Sequence, residues 1–248
     1  MKTDYSLHAA YWDWDGFDDS EVYRFWYEMG SAYGSKVFSP MCAIGQTAAY
    51  MARQGACVTA LDLEKEMIAE GKKRFGHIPG LGFVCGDVCT CDLGEKFDFA
   101  FLASTDLHLL PDLHAVKVAL QNINRHLRPG GGLGLEVWFA PDMSFASPMR
   151  RFEPRAPRRD GLYIWKEGDG HYDAARKIHR IHQVVHVGEN VQFDHDVTLQ
   201  LYDREELFAL FRACGFEIRN AWCDMQKNTS ENPDQNVYLE LVKKEQIS

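Results

Sequence analysis

The chain has 248 residues, 46% of them hydrophobic and 25% charged, with a formal net charge of -9. That length suits one α/β domain with a small elaboration and a sizeable core, and the acidic balance excludes the general attraction for nucleic acid that clustered Lys and Arg provide. No apolar run approaches the ~20 residues of a membrane span, and the acidic, aromatic N-terminal stretch lacks the basic-then-apolar order of a signal peptide.

The first predicted element is an amphipathic helix over 18–33. Asp18, Asp19 and Ser20 supply capping groups and negative charge at its start, and Val22, Phe25, Trp26 and Met29 recur at helical spacing. A short apolar strand over 36–40 follows, then a turn and a helix over 45–54, a strand over 56–62 and a helix over 64–75. Strands over 82–85 and 97–103, a helix over 111–127 and a strand over 131–139 continue the alternation. Such alternation implies right-handed βαβ units and a parallel sheet.

The pattern changes after Pro141, where residues 142–161 show no periodicity and carry three more prolines. Strands over 178–187 and 191–202, joined at Gly188-Glu189-Asn190, read as a hairpin. Asp203 caps a helix to Cys214 that Gly215 stops, and strands over 216–225 and 236–242 close the sequence. The seven cysteines lie scattered in core-like segments, which fits a reduced, cytoplasmic location better than a disulfide framework. Cys85, Cys89 and Cys91 cluster without C-x-x-C spacing and read as small buried apolar residues.

The first strand-turn-helix is the natural ligand site of this arrangement, because ligands bind at the carboxyl ends of parallel strands. Its turn runs Ser39-Pro40-Met41-Cys42-Ala43-Ile44-Gly45, in which only Gly45 has free backbone geometry. Asp62 ends the second strand about 20 residues on, where a carboxylate accepts hydrogen bonds from both ribose hydroxyls of an adenosine. Asp87, in Gly86-Asp87-Val88 after the third strand, either meets an adenine amino group or caps a turn. Thr105, Asp106 and His108 follow the fourth strand, and His108 is either a functional or a packing histidine. Glu136, within the fifth strand, is either a buried structural carboxylate or a base facing the substrate. His182 and His186 share one face of their strand and His179 the other, which separates the set as metal ligands, so no metal site is expected. Arg150, Arg151, Arg155, Arg158 and Arg159 crowd one loop and either recruit an anionic substrate or form solvated surface.

Taken together, residues 37–141 resemble the class I S-adenosylmethionine (SAM) dependent methyltransferases. VTALDLEKEM is similar to the family's V-x-G-x-D-x-S-x-x-M pattern, HLRPGGGLGLEVW to its L-K-P-G-G-x-L pattern, and LYDREELFALFRACGFEI to its last helix and strand. The resemblance implies an α/β, Rossmann-like doubly wound sheet, mostly parallel with an antiparallel last strand, plus a small antiparallel β cap. It implies a helical cap over 1–35, a SAM-binding core over 36–141, a substrate cap over 142–202 and completion of the sheet over 203–248. It also implies SAM as cofactor, held by Asp62 at the ribose, Asp87 and Val88 at the adenine, and Ser39, Met41, Ala43 and Gly45 at the methionine tail. Tyr11, with Trp12 and Tyr27, would cover the cofactor, Thr105 would lie near the sulfonium, and Trp12, Trp14, Trp26 and Trp138 could present aromatic faces to it. Asp106, His108 and Glu136 are the candidate catalytic residues, and Trp138, Arg150 and Arg151 the candidate substrate contacts. The family's turn normally reads E-x-G-x-G-x-G, whereas here Ser39 replaces the acid, and Met41 and Ala43 replace two glycines. The expected reaction is methyl transfer to an N, O or S nucleophile of a small molecule by a monomer or homodimer that binds neither nucleic acid nor membrane. The altered turn keeps two alternatives open: cyclisation of the methionine tail with release of methylthioadenosine, and a catalytically inactive partner subunit.

Overall fold

The computed structural model describes residues 5–12, 20–104, 106–139, 161–189, 191–231 and 237–245. In chain order these form α1 (Tyr5–Ala10), α2 (Ser20–Ser31), β1 (Lys36–Pro40), α3 (Gln46–Arg53), β2 (Cys57–Asp62), α4 (Lys65–Phe75), β3 (Leu81–Cys85) and β4 (Phe97–Leu102). A single 3-10 turn (Asp106–Leu109) leads to α5 (Leu113–His126) and β5 (Leu127–Val137). Then come β6 (Ile164–Asp173), β7 (Ile178–Val187), β8 (Val191–Gln200), α6 (Arg204–Ala213), β9 (Phe216–Trp222) and β10 (Val237–Lys243).

Seven strands make one sheet in the order β3-β2-β1-β4-β5-β10-β9. The β3-β2-β1-β4-β5 run is parallel, and β10 is antiparallel to both of its neighbours. The strand order reverses direction between β1 and β4, which creates the crevice where such sheets bind ligands. Each face carries its own core. On one side α2 and α3 bury Phe25, Trp26, Met29, Ala48, Ala49 and Met51 against Val58, Ala60, Phe99 and Phe101. On the other, α5 and α6 bury Val116, Leu120, Ile123, Leu207 and Phe211 against Phe38, Leu102, Leu133 and Leu135. The β4 sequence FDFAFL is apolar almost without alternation, as a strand covered on both faces must be.

The separate sheet has three antiparallel strands, β6-β7-β8, where the sequence predicted a two-stranded hairpin. The missed strand, IWKEGDGHYD, carries charges and two glycines that hide its pattern. Those glycines are packing devices: a Cβ at Gly170 would lie 2.8 Å from the His179 ring, and His179 is buried beneath it. His182 and His186 do face away from His179. His182 Nδ1–H donates to Asp196 at 2.7 Å, and His186 stacks on Trp165 with ring centroids 3.7 Å apart.

Other boundaries also move. β5 begins at Leu127, so Arg128-Pro129-Gly130-Gly131-Gly132 belongs to the strand, and Phe139 lies beyond it, in an isolated bridge to Tyr202. The glycines there make a floor for α2: a Cβ at Gly132 would be 2.5 Å from the Tyr33 ring, and one at Gly134 would be 2.7 Å from Trp26. Ser39 lies within β1, paired with Ala60, and is buried. Residues 18 and 19, expected to cap α2, fall outside the described residues. Cys85 is exposed and Cys89 and Cys91 are only partly buried, contrary to the reading of that cluster as buried apolar residues; Cys57, expected in a core-like segment, is exposed too, and all seven cysteines are free.

Candidate cofactor and active site

The turn between β1 and α3 keeps a backbone shape suited to glycine. Met41 (φ 55°), Ala43 (φ 50°) and Gly45 (φ 79°) all adopt left-handed conformations at alternate positions, a shape that side chains at Met41 and Ala43 strain by about 1–2 kcal/mol per residue. The turn is held from beside and below. Cys42 N–H donates to the Leu61 carbonyl at 3.0 Å, and Gly45 N–H to the Cys42 carbonyl at 2.8 Å. Asp62, at the end of β2, accepts from Ala43 N–H at 2.7 Å through one oxygen and from Glu64 N–H at 3.0 Å through the other. Each carboxylate oxygen has a second lone pair for an incoming hydroxyl. Burial raises the Asp62 carboxyl above the usual range, and the backbone donors oppose that rise.

At β3, Gly86 N–H donates to the Asp62 carbonyl at 2.9 Å. Asp87 caps its own turn, one oxygen accepting from Cys89 N–H at 2.8 Å. Val88 is buried, and the Asn122 side chain on α5 donates to the carbonyls of Val88 and Cys91 at 2.8 and 2.9 Å. Asn122 thereby fixes the loop expected to face the adenine. Nothing in the sequence marked it, because its partners lie over 30 residues away.

The ends of β4 and β5 bring two more carboxyl groups toward Asp62. Glu136 accepts from the Trp138 indole N–H at 3.0 Å and from the Ser104 backbone N–H. Its carboxyl is raised by burial, against those two hydrogen bonds. Ser104 itself sits at φ 54°. Asp106 keeps some exposed surface, while its carboxyl group is densely surrounded by protein. Burial pushes it well above the ordinary range, and the carboxyls of Asp62 and Glu136 push it further. The Cys42 thiol feels both Asp62 and Asp106 and is raised too, chiefly by burial, so it stays a neutral thiol.

His108 is fully buried and uses both ring nitrogens. Nδ1 pairs with the Gln200 carbonyl at 2.8 Å, and Nε2 with Trp138 N–H at 2.9 Å. A carbonyl can only accept and an amide N–H can only donate, so Nδ1 carries the proton and the ring is neutral. Burial lowers its pKa to about 4. This imidazole joins the 3-10 turn, the end of β5 and the end of β8, and so fastens the three-stranded sheet to the site.

At the N-terminus, Trp12 packs with Ala43 and Phe75 around Ala9, Ile44 and Met67. Arg74 on α4 donates to the Ala10 carbonyl at 2.7 Å. Tyr11 lies elsewhere, stacked on Phe193 at 6.2 Å beside Ile164, Val185 and Val187. Tyr27 meets Tyr50 edge-on at 6.3 Å. Trp26 is fully buried against Phe101 and Tyr238, which removes it as an aromatic face for the cofactor. Thr105, Trp14, Arg150 and Arg151 lie outside the described residues. No group of three or more metal-ligating side chains occurs among the described residues, and none of their helices is long and apolar enough to cross a membrane.

A left-handed turn after β1, a carboxylate after β2 and a switch point between β1 and β4 make up the candidate nucleoside site. A methyltransferase-domain family profile matches residues 37–131, from the first strand into the fifth. Residues 37–131 are thus a methyltransferase domain. The putative methyltransferase YqeM of Bacillus subtilis (strain 168) is 22% identical over 97% of this methyltransferase and 93% of its own length. The CcbJ methyltransferase of Streptomyces caelestis superposes with a TM-score of 0.80 at 15% identity, covering 98% of this chain and 99% of that one. The sugar N-methyltransferase KedS8 of Streptoalloteichus sp. ATCC 53650 superposes with a TM-score of 0.76 at 16% identity, covering 99% and 95%. The methyltransferase therefore uses SAM, and the donors and acceptors around its turn fit that cofactor despite the replaced glycines.

Proposed function

We propose that the enzyme methylates the amine of a small molecule that enters between the three-stranded sheet and the carboxyl ends of β4 and β5. When bound, SAM supplies a methyl group on a sulfonium that is already a good leaving group. Asp62 accepts the ribose hydroxyls, the 87–88 loop flanks the adenine, and Trp12 covers the turn. The observation that carries the amine assignment is Glu136. Its carboxyl lies at the end of β5, oriented by Trp138 and Ser104, with its proton affinity raised by burial. Such a group takes the proton of an ammonium near neutral pH and frees the lone pair that attacks. The new C–N bond forms as the S–CH3 bond breaks, and positioning the two is the main work of the site. The His108 bridge sets β8 over this point and excludes water. The likeness to a sugar N-methyltransferase across nearly the whole chain supports an amine on a polar scaffold. Arg150 and Arg151 would add anion recognition to the acceptor.

The test is product analysis with SAM and a panel of aminosugars and simple amines. S-adenosylhomocysteine must appear only when an acceptor is present. Glu136→Gln is expected to lower kcat by roughly 10²-fold near neutral pH, with less effect at high pH, where the amine arrives deprotonated. Enzyme-dependent methylthioadenosine from SAM alone, or transfer to hydroxyl or thiol acceptors only, overturns the reading.

A further inference from the structure

Three consecutive residues at and just past the end of β8 grip the unit that carries Glu136. The Gln200 carbonyl accepts from His108 Nδ1–H at 2.8 Å, and His108 Nε2 accepts from the Trp138 backbone N–H at 2.9 Å. On either side of Gln200, Leu199 and Leu201 form a small buried cluster against which Trp138 packs, together with Tyr172, Ile181 and Val197. The Trp138 indole N–H then donates to Glu136 Oε1 at 3.0 Å. Carbonyl, imidazole, peptide and indole thus form one chain from the three-stranded sheet to the carboxyl group.

The middle of that chain is where the large sheet lets go. Its last ladder pair on β5 is Val137 with Val237, so Trp138 is the first residue beyond it. Side chains two residues apart on an extended chain leave the same face. The indole therefore reaches back over Glu136 only while residue 138 continues the line of β5. His108 takes up the Trp138 N–H at the point where the ladder ends, and so holds that line.

We propose that His108 is a positioning residue for Glu136, acting through Trp138 and tying the placement of that carboxyl to the seat of the three-stranded sheet. This rests on the reading of Glu136 as the acceptor's base and deepens it. Among the described residues, the titratable groups facing Glu136 are Asp106 on the 3-10 turn and Tyr238, directly opposite on β10. Burial first, then Glu136 and Asp224, push the Tyr238 hydroxyl up to about 12, so it stays neutral. The Ser104 amide and the Trp138 indole both donate to Glu136 and favour its carboxylate form. Without the indole, the carboxyl keeps its proton to higher pH.

The two bonds of the ring separate by substitution. His108→Asn places a carboxamide N–H near the Nδ1 position, keeping the Gln200 bond and losing the one to Trp138. His108→Gln places a carboxamide oxygen near the Nε2 position, keeping the Trp138 bond and losing the one to Gln200. Each variant loses one hydrogen bond, so a merely structural role treats them alike. The Glu136 carboxyl is titrated in the full chain by infrared spectroscopy of its protonated C=O band, identified by subtracting Glu136→Gln spectra. Trp138→Phe is expected to raise the midpoint by about one pH unit, the shift of one lost charge-assisted hydrogen bond. His108→Asn should move it in the same direction, and should add nothing in the Trp138→Phe background. His108→Gln should keep the wild-type midpoint. Calorimetric affinity for S-adenosylhomocysteine should stay within about twofold in all of them, because the chain does not touch the nucleoside site. Indistinguishable midpoints in His108→Asn and His108→Gln, or fully additive shifts in the double variant, overturn the proposal. If the midpoints move as expected but Glu136→Gln methylates the aminosugar panel at the wild-type rate, the base reading fails while the positioning stands.

Discussion

Met41 and Ala43 hold left-handed backbone angles that two glycines would adopt without strain. The turn therefore keeps its shape through tethers, namely Asp62 to Ala43 N–H and Leu61 to Cys42 N–H. Ala43→Gly removes a left-handed penalty of about 1–2 kcal/mol and adds about 0.5–1 kcal/mol of backbone entropy cost. The variant should be slightly more stable, with Tm higher by roughly 1–3 °C, and a scanning calorimeter reads it. A lower Tm would mean that the methyl group's packing in the Ala9–Ile44–Met67 cluster outweighs the strain. At this scale, Asp62 was legible because its distance from the turn and its place at a strand end are both written in the sequence. The double use of the His108 ring was not, because one partner is a carbonyl 92 residues away. Asp106 was legible as an acid after β4, but its nearness to Asp62 and Glu136 is a property of the folded neighbourhood alone.

Among the elements, α1 shows how a short helix gains purpose from what it touches. On one side it packs on the cofactor turn through Ala9 and receives Arg74 on its last carbonyl. On the other, His8 lies against His195 of β8 with ring centroids 3.9 Å apart. The His195 Nδ1 lies 3.2 Å from the Gln183 amide oxygen, to which Lys166 also donates at 3.3 Å. Burial lowers His8 to about 3, with His195 and Lys166 adding to it, and burial lowers His195 to about 4, aided by Lys166 and opposed by Asp196. Both docked imidazoles thus prefer the neutral form more than free ones do. Their contribution to docking is whole above about pH 6.5 and is lost as pH falls toward 4. Hydrogen exchange at residues 7–12 should accelerate between pH 6.5 and 5, after correction for intrinsic rates, and His8→Phe should blunt that acceleration. An unchanged profile in His8→Phe would show that another group controls α1. The long periodic helices and apolar strands of the core were readable in advance because each repeats one spacing over many residues. α1 was not, since six residues are too short to show a period, and β6 was not, since its glycines and charges answer to its partner strand β7.

For the molecule as a whole, the two sheets share no strand pairing among the described residues, and His108 ties the end of β8 to the residue after β5. His108→Phe keeps the size of the ring and removes both bonds, leaving the Gln200 carbonyl and Trp138 N–H without it. The expected loss is about 1–3 kcal/mol of unfolding free energy from two part-buried hydrogen bonds, measurable by urea denaturation. Full wild-type stability would show that the cap is held by other contacts. A related feature is the bridge that pairs Phe139 with Tyr202 in parallel. It brings Phe139 and Tyr202 side by side, so a short linker can span the gap between them. Excising the excursion between them and closing Phe139 to Tyr202 with a few flexible residues should leave a minimal nucleoside-binding scaffold. Splicing another enzyme's excursion at the same two residues offers a direct route to exchanging acceptor preference without disturbing the seven-stranded sheet.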